Sequence, residues 1–162
     1  MQKEIQFTKV IQEHQGLLFK VSSVYTDSKL DQEDLLQEIV YQLWKSFDAF
    51  RNESKISTWM YRIGMNTAIA HLNQRKKRPN SISISETILK VSDTKDELYE
   101  ERLRKLYLHL QKLNTLEKGL IFLLLEGKKY AEIAEITGLG ASNVGTRISR
   151  IKKKLKTNMT KS

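Results

Sequence analysis

Helical periodicity runs almost unbroken along this 162-residue chain and fails once, at its only proline. Pro79-Asn-Ser-Ile-Ser-Ile-Ser85 is polar and alternating, and a helix-compatible pattern does not return until about Asp96. Such alternation fits a strand, but a lone strand has no partner to pair with, which leaves a linker. The expected fold is therefore all-α. Two small helical domains, residues 1–78 and 96–162, are joined by a flexible linker over residues 79–95. Each half exceeds the practical minimum for an independent domain.

The last third carries the strongest pattern. Tyr130, Ile133, Ala134 and Thr137 recur at helical spacing, and Val144, Ile148, Ile151 and Leu155 make the apolar stripe of a following helix. Between them, Gly138 and Gly140 permit a sharp turn. Helix, glycine-containing turn, helix is the helix-turn-helix layout, whose second helix enters the DNA major groove. Away from that helix's apolar stripe lie Ser142, Asn143, Thr146, Arg147, Arg150 and Lys154. Asparagine and arginine read adenine and guanine edges bidentately, while arginine and lysine also neutralise phosphate.

Charge supports the same partner. No Asp or Glu follows Glu135, whereas seven Lys or Arg do, and the whole chain carries formal charge +9. A merely solvated helix face mixes signs for salt pairing, so this one points to a polyanion. With no cysteine there is neither a disulfide framework nor a thiolate metal site. No apolar run approaches a membrane span and the N-terminus lacks a signal-peptide core, so a cytoplasmic protein without direct membrane insertion is expected.

In the first half, Leu36, Ile39, Val40, Leu43, Trp44 and Phe47 form the stripe of a helix whose opposite face carries Asp34, Glu38, Tyr41 and Lys45, with Gln37 and Gln42 beside them. An earlier helix is implied by Val10, Leu17, Val21 and Val24. A third keeps phase through Ile56, Trp59, Met60, Ile63, Thr67 and Ala70 and runs into the four cations Arg75-Lys-Lys-Arg78. One or two cations suffice to complement a helix C-terminus, so this run favours nucleic-acid contact. In the second half, Leu98, Leu103, Leu106 and Leu110 suggest another amphipathic helix. Leu113–Leu125 is apolar enough to be central to a core, with Gly127 as its C′ residue.

Taken in order, these segments resemble a bacterial sigma factor of the sigma-70 family, in the small extracytoplasmic-function (ECF) group. Asp31-Gln-Glu-Asp-Leu-Leu-Gln-Glu-Ile-Val-Tyr-Gln-Leu-Trp44 is similar to the family's polymerase-binding helix. Phe50-Arg51 through Ser57-Thr-Trp-Met-Tyr-Arg-Ile-Gly-Met-Asn66 resembles its promoter-melting segment, and Tyr130 through Lys154 its upstream-element reader. The resemblance implies core RNA polymerase and promoter DNA as partners. It assigns polymerase docking to Asp34, Gln37, Glu38, Tyr41 and Gln42. Capture of unpaired downstream-element bases falls to Asn52, Ser54, Lys55, Ser57, Thr58, Trp59, Tyr61, Arg62 and Asn66, with Arg75 and Lys76 in the basic run beyond. Tyr61 is expected to be the better-exposed stacking ring, since Trp59 shares phase with Ile56, Met60 and Ile63. Members are commonly held inactive by an anti-sigma protein, which adds an anti-sigma factor to the expected partners.

Two positions depart from the family pattern. Gly145 stands where Lys or Arg often follows the valine of the recognition helix, and Asn114 replaces a common proline while remaining a good N-cap. An operator-binding regulator would explain the helix-turn-helix and the charge, but not the acidic docking helix beside a loop-plus-aromatic segment. Enzyme activity has no support. His14, His71 and His109 share no ligand spacing, Gly138-x-Gly140 lacks the third glycine of a dinucleotide fingerprint, and there is no P-loop. No cofactor is implied.

Overall fold

A computed structural model describes residues 2–75 and 97–161, which fall into two compact units. The described residues of the first unit form α1 (Gln2–Glu13), α2 (Gln15–Val24), α3 (Lys29–Ser46), a single 3-10 turn (Phe47–Ala49) and α4 (Ile56–Arg75). Those of the second form α5 (Glu97–Gln111), α6 (Thr115–Leu125), α7 (Tyr130–Thr137) and α8 (Ala141–Lys161). The proline seam and Lys76–Arg78 lie outside the described residues.

In the first unit, the early helix expected around Val10–Val24 is two helices broken at His14, whose Nδ1 lies 2.9 Å from the Val10 carbonyl. α3 starts where the Ser28 hydroxyl accepts from the Asp31 N–H at 3.1 Å, an N-cap. Its inward face is rotated from the expected stripe. Leu35, Ile39 and Leu43 are fully buried, while Leu36 and Val40 are half-buried. The buried Gln32 explains the rotation, because its amide donates to Ser23 Oγ at 2.7 Å and to Ser22 Oγ at 3.3 Å. A polar side chain inside needs such partners, and α2 supplies them. Leu18, Val21, Met60, Met65 and Ala68 complete this core.

In the second unit, Asn114 forms a capping box with Glu117. The Glu117 N–H donates to Asn114 Oδ1 at 2.9 Å and the Asn114 N–H to Glu117 Oε1 at 3.1 Å. α6 stops at Gly127, which takes φ +81° and donates to the Leu124 carbonyl, while Lys128 donates to that of Leu123. These are the paired bonds of a Schellman ending, and they confirm Gly127 as the C′ residue. Leu120, Ile121, Phe122 and Leu123 are buried as expected, but Leu125 stands exposed at the helix end. On α7 the buried residues are Ile133 and Ile136, so Tyr130 sits at the edge and not in the stripe.

Candidate functional site

The α7–α8 connection builds a helix-turn-helix. α7 ends at Gly138, in left-handed conformation (φ +81°), whose N–H bonds the Ala134 carbonyl at 2.8 Å. This conformation is what a Cβ-free residue allows, so the turn depends on Gly138. Gly140 has no positive φ; its carbonyl instead accepts the first bond of α8, from Val144 N–H at 2.9 Å.

α8 then divides cleanly. Val144, Ile148, Ile151 and Leu155 are buried, while Ser142, Asn143, Thr146, Arg147, Arg150 and Lys154 are all exposed. Arg147 Nε donates to Asn143 Oδ1 at 3.0 Å, and the Thr146 hydroxyl donates to the Ser142 carbonyl at 3.0 Å. Lys154 leans toward α6, with Nζ 3.6 Å from Glu117 Oε1, so its charge is partly answered within the unit. At Gly145 a Cβ would stand 3.4 Å from the Tyr130 ring. That position faces α7, so glycine there removes nothing from the polar face. A rigid helix with hydrogen-bond donors on one face and a filled core behind can lie in a major groove.

In the first unit, Asp34, Gln37, Glu38 and Tyr41 are exposed on the outer side of α3 and Gln42 is half-buried. Gln42 Nε2 donates to Glu38 Oε1 at 3.0 Å, and Lys45 Nζ lies 5.5 Å from the Tyr41 ring centroid. The result is an acidic and amide-bearing face suited to a basic or polar partner surface.

The loop before α4 is shaped by aromatic packing. Trp59 lies 5.0 Å from Phe50 and 6.3 Å from Phe47 between ring centroids, and Phe7 meets Phe47 at 5.3 Å and Trp44 at 5.2 Å. These contacts clamp both ends of the connection. Asn52, inside it, takes φ +57°, a left-handed conformation that asparagine tolerates better than most residues. Asn52 and Lys55 are exposed, and Ser54 and Ser57 are half-buried.

Four expectations change on α4. Tyr61 is buried, with 5% exposure, and the half-buried Trp59 is the more accessible ring. Thr58 is buried too, at 4%, so neither Thr58 nor Tyr61 presents its side chain at the surface. They face inward because the helix packs on α2 and α3 along Thr58, Met60, Tyr61, Gly64, Met65 and Ala68, a wider strip than the periodicity suggested. Arg62 and Asn66 are exposed on the other side. Arg75 is no free cation either. It bonds Asp27 at 2.9 Å and also Asp31, whose other oxygen lies 2.9 Å from His71 Nε2. The hydrogen bond to Asp27 holds the Arg75 guanidinium even more firmly protonated than usual. Asp31 thus serves this cluster and not only the start of α3. The signal was visible, since Asp27/Asp31 and His71/Arg75 are each spaced four apart on their segments. Lys76 lies outside the described residues.

Among the described residues, no His, Asp and Glu cluster could hold a metal ion, and no helix is long and apolar enough to cross a membrane.

Comparison with known proteins accords with this arrangement. Residues 10–78 match the family profile described as Sigma-70 region 2, and residues 103–155 that described as Sigma-70, region 4. RNA polymerase sigma factor SigV of Bacillus subtilis is 32% identical over 152 residues, covering 93% of this chain and 89% of SigV. The ECF RNA polymerase sigma-E factor of Escherichia coli K12 is 27% identical over 156 residues, covering 89% of this chain and 81% of that protein. Two solved structures share the fold. CnrH in complex with the cytosolic domain of CnrY gives a TM-score of 0.71 at 19% identity, covering 98% of this chain and 90% of that one. The sigma factor RpoE in complex with the anti-sigma factor NepR, from Bartonella quintana, gives 0.74 at 19% identity, covering 96% of this chain and 97% of that one. With both regions matched in order and a relative spanning nearly its whole length, the chain belongs to the sigma-70 family of RNA polymerase sigma factors, in the extracytoplasmic-function group.

Proposed function

We propose that this sigma factor, acting in the cytoplasm, directs promoter-specific initiation by core RNA polymerase with its labour divided between the two units. The outer face of α3, through Asp34, Gln37, Glu38, Tyr41 and Gln42, docks polymerase. The Asn52–Ser57 loop and the outward residues of α4, Trp59, Arg62 and Asn66, receive unpaired bases of the downstream element. The exposed face of α8, from Ser142 through Arg150, reads the upstream element in duplex form. An anti-sigma protein is the expected regulator, because a chain of the same fold was solved with one. The observation that carries this reading is the presence in one chain of an exposed acidic face on α3 and an exposed, acid-free, basic face on α8.

The test is the double charge reversal D34K/E38K. Both residues are exposed, so the fold should survive. Co-sedimentation with purified core polymerase and transcription from a genomic fragment library should both fall at least about tenfold, from loss of charge complementarity. Holoenzyme formation at the wild-type level would move the docking face elsewhere. If the unaltered chain shifts promoter fragments tightly without polymerase and never joins it, the protein acts as a simple operator binder.

A further inference from the structure

Asn143 and Arg147 are bonded to each other on the face of α8, one turn apart, with both side chains exposed. An arginine only donates, so the 3.0 Å bond from its Nε fixes which end of the Asn143 amide faces it. The carbonyl end is turned along the helix, and the NH2 end is left for an outside partner. Adenine is read bidentately through both ends of an asparagine amide, with the oxygen accepting from N6 and the nitrogen donating to N7. The Asn143 oxygen keeps a second lone pair, but its bond to Nε turns it along the helix, away from the outward setting that this pair needs. The guanidinium is constrained as well. With Nε–H occupied, its two terminal nitrogens form the remaining fork, whose spacing suits O6 and N7 of a guanine. The Thr146 hydroxyl, bonded to the Ser142 carbonyl, does not compete for either group.

The geometry points to Asn143 as a positioning residue that holds Arg147 end-on toward a guanine and turns its own NH2 to an acceptor on an adjoining base. This rests on the reading of α8 as the upstream-element helix. Both residues lie in its first two turns, the part of a recognition helix that reaches base edges. A guanidinium already held in place loses less side-chain freedom on binding, so selectivity for guanine rises without a further contact.

The experiment uses holoenzyme assembled from core polymerase and the full chain. The probe is a pool of duplex promoter fragments whose upstream element alone is randomised, sequenced before and after selection. Arg147→Ala first identifies the position at which guanine is demanded. Asn143→Ala should then lower guanine selectivity at that same position by about tenfold, and the double variant should lose no more there than Arg147→Ala alone. Asn143→Asp keeps an acceptor for Nε but has no NH2. It should retain the guanine requirement and lose the preference at the adjoining base. Thermal unfolding followed by circular dichroism should be unchanged in every variant. The inference is overturned if Asn143→Ala leaves guanine selectivity intact and abolishes only an adenine preference, or if the two single losses simply add. If Arg147→Ala alters preference at no position, the reading of α8 itself fails, and the inference with it.

Discussion

On α8 the side chains assigned to base reading stand clear of a core that lies wholly behind them. On α4 Thr58 and Tyr61 are buried, Trp59 is wedged among phenylalanines, and Arg75 is bound to two carboxylates. On the roles proposed above, the difference fits two tasks. Reading duplex DNA needs a stiff rod with one polar face, which a helix supplies from its own periodicity. Receiving a base that has left the stack needs a shaped recess, and shape comes from packing between segments distant in sequence. Hence the aromatic clamp around the Asn52–Ser57 loop and the strained φ of Asn52 have no counterpart among the described residues of α8.

The sharpest way to break this contrast is to remove the shape while keeping the helix. Replacing residues 52–57 with a Gly/Ser segment of equal length should leave polymerase binding intact. Transcription from duplex promoter should fall by about a hundredfold, since an unstacked base costs a few kcal/mol that contacts from the native loop would no longer offset. A template pre-melted at the downstream element should recover part of the loss. Full activity on duplex DNA would show that the loop is only a connection.

A smaller effect separates Arg75, at the end of α4, from Arg150, midway along α8. Arg150→Ala should leave thermal stability unchanged and weaken promoter binding. The loss should be about 1–3 kcal/mol where Arg150 reads a base, or bring a salt slope lower by about one where it touches phosphate. Arg75→Ala should do the reverse. It should lower the stability of the first unit by roughly 1–2 kcal/mol, through loss of charge-assisted bonds to Asp27 and Asp31, and leave the salt slope of DNA binding unchanged. A reduced slope for Arg75→Ala would restore it to the DNA-contacting set.

The smallest expected change is a gain. Gly64 and Gly145 both sit inside helices, and an added Cβ would meet its nearest neighbours at 3.6 Å and 3.4 Å respectively, which is ordinary contact. Gly64→Ala and Gly145→Ala should each stabilise their unit by about 0.5–1 kcal/mol, read from chemical denaturation, because glycine is the poorer helix former. Promoter selectivity should not move. A loss of stability at Gly145 would mean that the Tyr130 ring cannot yield, and a loss of selectivity would bring that position onto the reading face.

Much of this protein was decided within single helical turns, and that part is written in the sequence. The all-α character, the Asn114 cap, the Gly127 stop and the division of α8 into buried and exposed faces each depend on residues at most a few positions apart. Only the tertiary structure decided which sides of α3 and α4 turn inward. Gln32 goes in because Ser22 and Ser23 of α2 can satisfy it, and that choice brings Leu35 to the centre and leaves Leu36 and Val40 at the edge. Tyr61 goes in because it lies on the side of α4 that packs on α2 and α3, and Trp59 stays partly out against Phe47 and Phe50. Arg75 and His71 are claimed by Asp31, 44 and 40 positions away respectively. Periodicity says that a helix has a face to bury; the partner that covers it, brought from far along the chain, fixes where that face is centred and which polar groups are consumed in the closing.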